Sequence, residues 1–289
     1  MNEIREKAYA KLNISLDVTG KRPDGYHDML MVMQSVSLCD ELCLRLNDSG
    51  RVTAASDLRY IPNDERNLAV KAALRYLEAI GESRQGLHIE MEKRIPVGAG
   101  MAGGSSDAAA VLRGLNRLCG DRLSRAELEA LACRVGSDVA FCVAGGTALA
   151  RGRGELLEEL PPLPDCSFVI CKPGFSISTP ELFRKLDSAP LRRHPDTAGL
   201  LRAIGEGDLR QVCIRMYNVF EDVDDRRLRS VGQIKSRLLD HGALGTIMTG
   251  TGSAVFGVYE DPAAAEAAQE ALAGEYRFCC TAAPVNRLL

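Results

Sequence analysis

The sequence predicts an α+β protein built from two domains. The chain has 289 residues, and a typical length of roughly 150 residues per domain favours two of them. Segments with strand-like and helix-like patterns occur on both sides of a proline-rich stretch at 161–164. We therefore expect a first domain at 1–160 and a second at 161–289, each mixing strands and helices.

The composition is that of an ordinary globular protein. Hydrophobic residues make up 46% and charged residues 26%, which excludes a disordered chain, a collagen and a coiled coil. The formal net charge is −3, and without a basic excess we expect no nucleic-acid partner. Aromatic residues are only 5%, with no Trp, whereas Gly reaches 27. This balance suggests backbone that approaches a ligand closely.

The start of the chain and the cysteines favour a cytoplasmic location. Residues 1–7 are charged and carry no apolar core, so no secretory signal is expected. No apolar run approaches the ~20 residues of a membrane-spanning helix, so no membrane partner is expected. The 10 cysteines contain no Cys-x-x-Cys pair, which makes a zinc site improbable and favours free, mostly buried thiols in a reducing compartment.

The first elements of the chain show strand patterns. Residues Tyr9–Val18 alternate apolar and polar side chains, as a strand with one buried face does. Gln34–Leu38 and Glu41–Leu46 are also strand-like and flank Cys39-Asp40, a pattern that predicts a β-hairpin.

The rest of the first half alternates helices and a strand. Asn67 can cap a helix that ends before Gly81, and Leu87–Glu92 alternates strictly with period two. A glycine-rich loop precedes a helix predicted over Ala108–Cys119, and Ser124-x-x-Glu127 is a capping box for the next helix.

The second half is predicted from similar signals. Thr179 followed by Pro180 has the form of a helix start, with a cap and then proline at the first position. Apolar patterns predict two strands and two helices, at Ser167–Cys171, Leu228–Leu239, Ala254–Tyr259 and Pro262–Ala273 in chain order.

The glycine-rich loop is the most informative segment. Four glycines fall within seven residues between a strand and a helix. Glycines let backbone N–H groups approach an anion, and the helix N-terminus adds about half a positive charge, so the loop is typical of phosphate binding. The candidate residues are Pro96, Val97, Gly98, Ala99, Gly100, Met101, Ala102, Gly103, Gly104, Ser105 and Ser106.

The surrounding sequence limits the kind of nucleotide. No lysine follows the glycines, so the loop is not a Walker motif. Gly98, Gly100 and Gly103 match the Gly-x-Gly-x-x-Gly dinucleotide pattern. However, Asp121 lies between two predicted helices rather than at the end of a second strand, which argues against a dinucleotide fold.

Two further groups of polar residues stand out. Lys11, Asn13 and Ser15 lie on one face of the first strand, where a solvent-facing strand side is the simpler explanation. Asp138 follows Gly136-Ser137 and precedes a very apolar run, and taken alone it is better explained as a helix cap.

Taken in order, these motifs resemble the GHMP kinases, the superfamily of galactokinase, homoserine kinase, mevalonate kinase and phosphomevalonate kinase. The resemblance covers essentially the whole chain and includes a late Gly250-Thr251-Gly252-Ser253 loop. It implies an N-terminal half like ribosomal protein S5 domain 2, a ferredoxin-like C-terminal half and an active site in the cleft between them. It also implies ATP, with Mg²⁺ carried on the ATP, as the phosphate donor.

Within the superfamily, Ala10-Lys11-Leu12-Asn13 and Gly20–His27 are similar to the kinases that act on a cytidine-diphosphate-linked sugar alcohol. Those enzymes phosphorylate the 2-hydroxyl of 4-diphosphocytidyl-2-C-methyl-D-erythritol in non-mevalonate isoprenoid synthesis. Asp24-Gly25-Tyr26-His27 is the specific part, because it offers a ring and an imidazole to a pyrimidine.

The resemblance implies roles for individual residues. Asp138 would take or orient the proton of the acceptor hydroxyl, and Lys11 would hold that hydroxyl and favour the ionised carboxylate. Residues 96–106 would wrap the ATP phosphates. The implied substrate-binding residues are Asn13 for the methylerythritol end, His27 for the cytosine edge, Tyr26 and Phe183 for the faces of the base, and Thr179. Ala99 and Ala102 depart from the family's more glycine-rich loop, and each added methyl group is expected to narrow the approach of the backbone to a ligand.

Other functions remain open at this point. One is a homoserine or mevalonate type of GHMP kinase, which would have no use for Tyr26-His27. Others are a dinucleotide-dependent oxidoreductase and a nucleotide-binding module without catalysis, and the presence of both Lys11 and Asp138 argues against the last. The sequence does not identify protein ligands for a metal, and it does not indicate an oligomeric state.

Overall fold

The computed structural model describes residues 2–188, 191 and 193–289. The first half of the chain builds a sheet with helices packed on it. Its elements are β1 (Glu3–Lys21), β2 (His27–Asn47), β3 (Val52–Ser56), α1 (Leu68–Ala79), β4 (Gly86–Glu92), α2 (Gly103–Leu118), α3 (Arg125–Val135), α4 (Val139–Ala144), β5 (Thr147–Gly152) and β6 (Leu156–Glu159).

The second half contributes a smaller sheet and its own helices. Its elements are β7 (Ser167–Lys172), α5 (Thr179–Leu186), α6 (Thr197–Glu206), α7 (Leu209–Ile214), β8 (Tyr217–Asn218), a 3-10 turn (Val219–Asp222), α8 (Arg227–Asp240), β9 (Gly245–Met248), β10 (Val255–Tyr259), α9 (Pro262–Leu272) and β11 (Phe278–Ala282).

The larger sheet has the order β3-β4-β2-β1-β8, and β5 and β6 extend it from β2. Strand β2 is long enough that β5 pairs with Met29–Gln34 and β4 with Glu41–Asn47, while β1 lies along its other side. Strand β8 comes from the second half of the chain and pairs with β1. The domain boundary after residue 160 remains a prediction.

The smaller sheet has the order β11-β7-β10-β9, and its described neighbours are all antiparallel. In chain order the elements run strand, helices, two strands, helix, strand, which is the ferredoxin-like arrangement implied by the resemblance. Phe168 and Phe256 on adjacent strands meet edge to face in its core, with centroids 5.6 Å apart.

The predicted hairpin around Cys39-Asp40 is wrong. Residues His27–Asn47 form one continuous strand, and the turn of the β1–β2 hairpin lies at residues 22–26 instead. Asp40 is fully buried and accepts hydrogen bonds from the backbone N–H groups of Arg94 (2.5 Å) and Ile95 (2.7 Å). An aspartate at this position suggested a turn, but Asp40 is a buried hydrogen-bond acceptor within the strand.

The predicted caps of α1 and α3 are confirmed, whereas α5 and α2 begin earlier than predicted. Asn67 caps α1 by accepting from the Ala69 N–H, and Ser124 and Glu127 form the predicted capping box of α3. The N-cap position of helix α5 is Ser178, one residue before the predicted Thr179, and its side chain makes no capping hydrogen bond. Helix α2 begins at Gly103, five residues before the predicted Ala108, so the end of the glycine-rich segment is already helical.

The second-half predictions are otherwise confirmed to within about a residue. The elements that correspond to the four predicted segments are β7, α8, β10 and α9. Among the described residues, no helix is both long and apolar enough to cross a membrane.

Candidate active site

Two cavities meet at the glycine-rich segment. The cleft cavity has a volume of about 620 Å³ and the loop cavity about 380 Å³. Gly100 and Ala102 line both of them. A ligand in one cavity therefore lies against the same stretch of backbone as a ligand in the other.

The cleft cavity brings together every residue predicted for catalysis and for substrate binding. These residues come from β1, the end of the β1–β2 turn and the first residue of β2, the residue before α4, and helix α5. They are Lys11, Asn13, Tyr26, His27, Asp138, Thr179 and Phe183.

The loop cavity is lined by ten of the eleven residues predicted to bind phosphate, Pro96 to Ser105. The exception is Ser106, which is buried beneath the helix start. Its hydroxyl donates to the Ala102 carbonyl at 3.1 Å and lies 3.5 Å from the Cys142 Sγ. Ser106 therefore supports the loop from below and does not face the cavity.

The close approach at Gly100 explains why glycine occupies this position. Its φ is +76°, and a Cβ there would lie 2.2 Å from the Thr249 carbonyl oxygen. Backbone hydrogen bonds to the two residues that flank Gly100 hold this packing. The Lys11 N–H donates to the Met101 carbonyl and the Ala254 N–H donates to the Ala99 carbonyl, both at 3.2 Å. The loop is thus held between β1 and the segment after β9.

The two alanines that depart from the family pattern have different surroundings. Ala99 is 2% exposed, belongs to the same buried cluster as Ile95 and also lines the loop cavity. Ala102 has φ 59° and ψ 28°, a left-handed conformation that an L residue with a side chain adopts at a cost. Ala102 lines both cavities.

The N-terminus of α2 faces the loop cavity without a side-chain cap. Ala102 occupies the cap position and has no oxygen to accept from the first turn. The N–H groups of a first helical turn have no partner within the helix. Those of Gly103, Gly104 and Ser105 can therefore point at an anion, and the helix dipole favours negative charge there.

Lys11 is buried at the junction of the cavities. Its ammonium group donates to the Asn13 Oδ1 at 2.6 Å and to the Gly100 carbonyl at 2.9 Å. Burial lowers the pKa of Lys11, and the nearby Asp138 charge opposes that shift. The ammonium is thus held by fixed dipoles beside a carboxylate rather than in a hydrogen-bonded ion pair.

Asp138 occupies the cap position of α4, but its side chain makes no capping hydrogen bond. The carboxylate lines the cleft cavity instead. Gly154 lies beside it, and a Cβ on that residue would be in ordinary van der Waals contact with the Asp138 Oδ1, at 3.8 Å. The helix-cap explanation therefore accounts for the position of Asp138 but not for its side chain.

The far end of the cleft cavity carries an imidazole held on two sides. The His27 Nε2 lies 2.7 Å from the Asp187 Oδ1, and the ring stacks on Phe183 with centroids 4.6 Å apart and an interplanar angle of 24°. Tyr26 is 56% exposed, with the Arg153 guanidinium 4.9 Å from its ring centroid. His27 thus occupies a face of Phe183, the ring that the family resemblance implies for stacking on a base.

Helix α5 closes one side of the cleft against the segment after β9. The Thr179 hydroxyl lies 2.8 Å from that of Thr251, and Gly250 and Thr251 line the cleft cavity. The Thr249 hydroxyl accepts from the Asn13 N–H at 3.0 Å. The late glycine loop is therefore part of the cavity wall.

Sequence reasoning missed a buried charge cluster in the wall of the loop cavity, which Lys93 and Asp107 line. The Lys93 ammonium bonds to both Asp40 and Asp107, with side-chain exposures of 3%, 0% and 5%. Burial raises the pKa of Asp107 to about 7, although Lys93 opposes the shift. The cluster connects Lys93, which precedes the glycine-rich segment, to β2 and α2. In the sequence, the one sign of this cluster is an acidic residue, Asp40, inside an apolar strand.

Family models match both halves of the chain. Residues 67–146 match the GHMP kinases N terminal domain, and residues 200–277 match the GHMP kinases C terminal domain. These matches support the ATP-binding interpretation of the glycine-rich segment and exclude the dinucleotide-dependent oxidoreductase.

Individual proteins are similar over most of the chain. The 4-diphosphocytidyl-2-C-methyl-D-erythritol kinase of Alkaliphilus metalliredigens is 41% identical over 277 residues, 96% of this chain and 95% of its own. The enzyme of the same name from Bacillus licheniformis is 45% identical over 257 residues, 89% and 88% of the two chains.

A solved structure agrees with these relatives. A crystal structure of 4-(cytidine 5'-diphospho)-2C-methyl-D-erythritol kinase has 35% identity and a TM-score of 0.81, and the match covers 97% of this chain and 99% of the other. With its two-sheet fold, its paired cavities and relatives of this identity, the chain belongs to the 4-diphosphocytidyl-2-C-methyl-D-erythritol kinase family of the GHMP kinases.

Proposed function

We propose that the protein transfers the γ-phosphoryl group of ATP to the 2-hydroxyl of 4-diphosphocytidyl-2-C-methyl-D-erythritol. The observation that carries this proposal is the pair of cavities sharing Gly100 and Ala102. A donor nucleotide in the loop cavity and an acceptor in the cleft cavity would meet at that boundary. The names of the relatives support the identity of the acceptor.

In this proposal the loop cavity holds ATP. The uncapped N-terminus of α2 receives the phosphates, because its free N–H groups and dipole favour negative charge. Apolar side chains at the other end of the cavity, Ile61, Pro62 and Leu68, offer a surface for the adenine ring.

The cleft cavity holds the acceptor. Asp138 lies free of capping bonds and takes or orients the proton of the attacking hydroxyl. Lys11, fixed by Asn13 and Gly100, offsets the negative charge that develops during transfer. Phosphoryl transfer needs little covalent help, so this positioning of charges accounts for most of the catalysis.

Mg²⁺ is proposed to arrive on the triphosphate. Among the described residues, no group of three or more His, Cys, Asp or Glu side chains could hold a metal ion. When bound, the ion neutralises phosphate charge. The Ser105 hydroxyl lines the loop cavity and would contact a phosphate oxygen or a water of the ion.

We also propose that the protein works in the cytoplasm. All ten cysteines are free thiols, including Cys171 and Cys279, whose Sγ atoms lie 3.4 Å apart. Free thiols persist where the compartment is reducing.

An acceptor panel tests the proposed function. The purified protein is incubated with ATP and Mg²⁺ together with the cytidine diphosphate sugar alcohol, homoserine or mevalonate, and ADP formation is measured. We expect turnover only with the cytidine compound, because the other two leave the end of the cavity around Tyr26 and His27 empty. Faster turnover with homoserine or mevalonate would refute the assignment.

A further inference from the structure

Asp187 is a charged residue of the cleft cavity to which the proposed function gives no role. It follows α5 and bridges two side chains from the first half of the chain. Its Oδ1 lies 2.7 Å from the His27 Nε2 and its Oδ2 lies 2.6 Å from the Lys21 ammonium. Lys21 and His27 together lower the pKa of Asp187, so at neutral pH the carboxylate is ionised and only accepts hydrogen bonds.

This contact decides which nitrogen of His27 carries the proton. A neutral imidazole has one N–H, and a carboxylate beside Nε2 places it on Nε2. Nδ1 then keeps its lone pair. Among the described residues, the one side-chain hydrogen bond of His27 is that of Nε2 to Asp187, and His27 lines the cleft cavity.

Phe183 fixes the plane of the same ring. The stack at 4.6 Å holds one face of the imidazole, and Phe220 meets Phe183 edge to face at 4.9 Å from behind. The ring can therefore neither turn over nor tilt without breaking the contact with Asp187 or the stack. Phe183 supports His27 in this arrangement.

We propose that Asp187 is a positioning residue that holds the His27 proton on Nε2, so that Nδ1 accepts a hydrogen bond from the exocyclic amine of cytosine and disfavours uracil. Cytosine presents an N–H donor at this position, whereas uracil presents a carbonyl acceptor. A lone pair facing a carbonyl leaves both groups unpaired, which is costly in a desolvated pocket. The identity of the base rests on the proposed function.

The first test measures the tautomer without any activity. The protein has 4 histidines, and long-range ¹H–¹⁵N spectra at pH 8 distinguish Nε2–H from Nδ1–H, with the His27 signal assigned from a His27→Gln variant. We expect the Nε2–H form in the wild type. An Nδ1–H form would overturn the inference whatever the substrate proves to be.

The second test compares Asp187→Asn with Asp187→Ala. In the Asn variant, Lys21 can bond only to the amide oxygen, so the NH₂ group faces Nε2 and moves the imidazole proton to Nδ1. In the Ala variant the ring loses its partner altogether. Each variant is assayed with the cytidine substrate and with its uridine analogue.

We expect Asp187→Ala to raise the KM for the cytidine substrate about 10-fold while kcat and the KM for ATP change less than 3-fold. Asp187→Asn should lower the preference for cytidine over uridine at least 10-fold. An unchanged preference in both variants, or a parallel loss of kcat and of ATP binding, would overturn the inference. A wild-type enzyme inactive with the cytidine substrate would instead refute the proposed function, and the tautomer measurement would still stand.

Discussion

Replacing Gly100 with alanine tests the packing at the junction of the two cavities. Two costs arise in the folded state. The left-handed conformation at φ +76° costs an alanine about 1–2 kcal/mol. The new methyl group would also lie 2.2 Å from a backbone oxygen, Thr249 O, and relieving such overpacking costs about 1–3 kcal/mol more. We expect a total loss of about 2–5 kcal/mol in the free energy of unfolding.

Gly81→Ala is the matched control. Gly81 has φ +77°, and a Cβ added there would have nothing within 4 Å, so this variant has the conformational cost alone. Urea unfolding of both variants at one temperature gives the difference directly. The Gly100 variant should also raise the KM for ATP, because the shifted loop carries the carbonyl that binds Lys11. Equal destabilisation of the two variants would refute the close packing described here.

Three further predictions concern single residues of the site. Asp138→Asn keeps the shape but removes the charge, so the transfer rate should fall at least about 100-fold with little change in calorimetric binding of either substrate; turnover near that of the wild type would remove Asp138 from catalysis. Ala102→Gly relieves the left-handed conformation and should raise the free energy of unfolding by about 0.5–1 kcal/mol, whereas a loss of stability in urea would show that the methyl group contributes packing. Asp107 has a folded-state pKa of about 7, raised from an ordinary 3.8, so the folded protein binds this proton more tightly and its contribution to stability falls as the pH rises from 4 to 7. Asp107→Asn should therefore gain stability relative to the wild type over that range, by at most about 4 kcal/mol; a pH-independent difference between the two would contradict the assigned pKa.

Local signals predicted the elements whose boundaries are set locally. The alternation in Tyr9–Val18 and the caps at Asn67 and Ser124 each depend on a few neighbouring residues, and the structure confirms them. The absence of a turn at Asp40 could not be predicted from neighbouring residues. Its carboxylate is satisfied by residues 53–55 positions away in the sequence, and that partner set exists only in the folded chain.

The start of α2 shows a different limit of sequence reasoning. Glycines disfavour helix interiors, so Gly103 and Gly104 suggested a loop. In the structure they form the first helical turn, where small residues keep the backbone N–H groups accessible.

The site itself was more predictable than its supporting contacts. Lys11, Asp138 and His27 were identified through motifs and lie in one cavity. Asp187 was not, because it meets His27 across 160 residues of sequence. Whether a carboxylate pairs with an imidazole is decided by how the two halves of the chain pack, and spacing along the sequence does not contain that information.

The chemical identity of the product tests the central claim most directly. The protein is incubated with ATP labelled at the γ-phosphate and the cytidine diphosphate sugar alcohol, and the product is analysed by ³¹P NMR and mass spectrometry. We expect one labelled phosphomonoester on the 2-hydroxyl of the erythritol and an intact diphosphate. Label found only in inorganic phosphate, or attached at another position, would contradict transfer across the boundary between the two cavities.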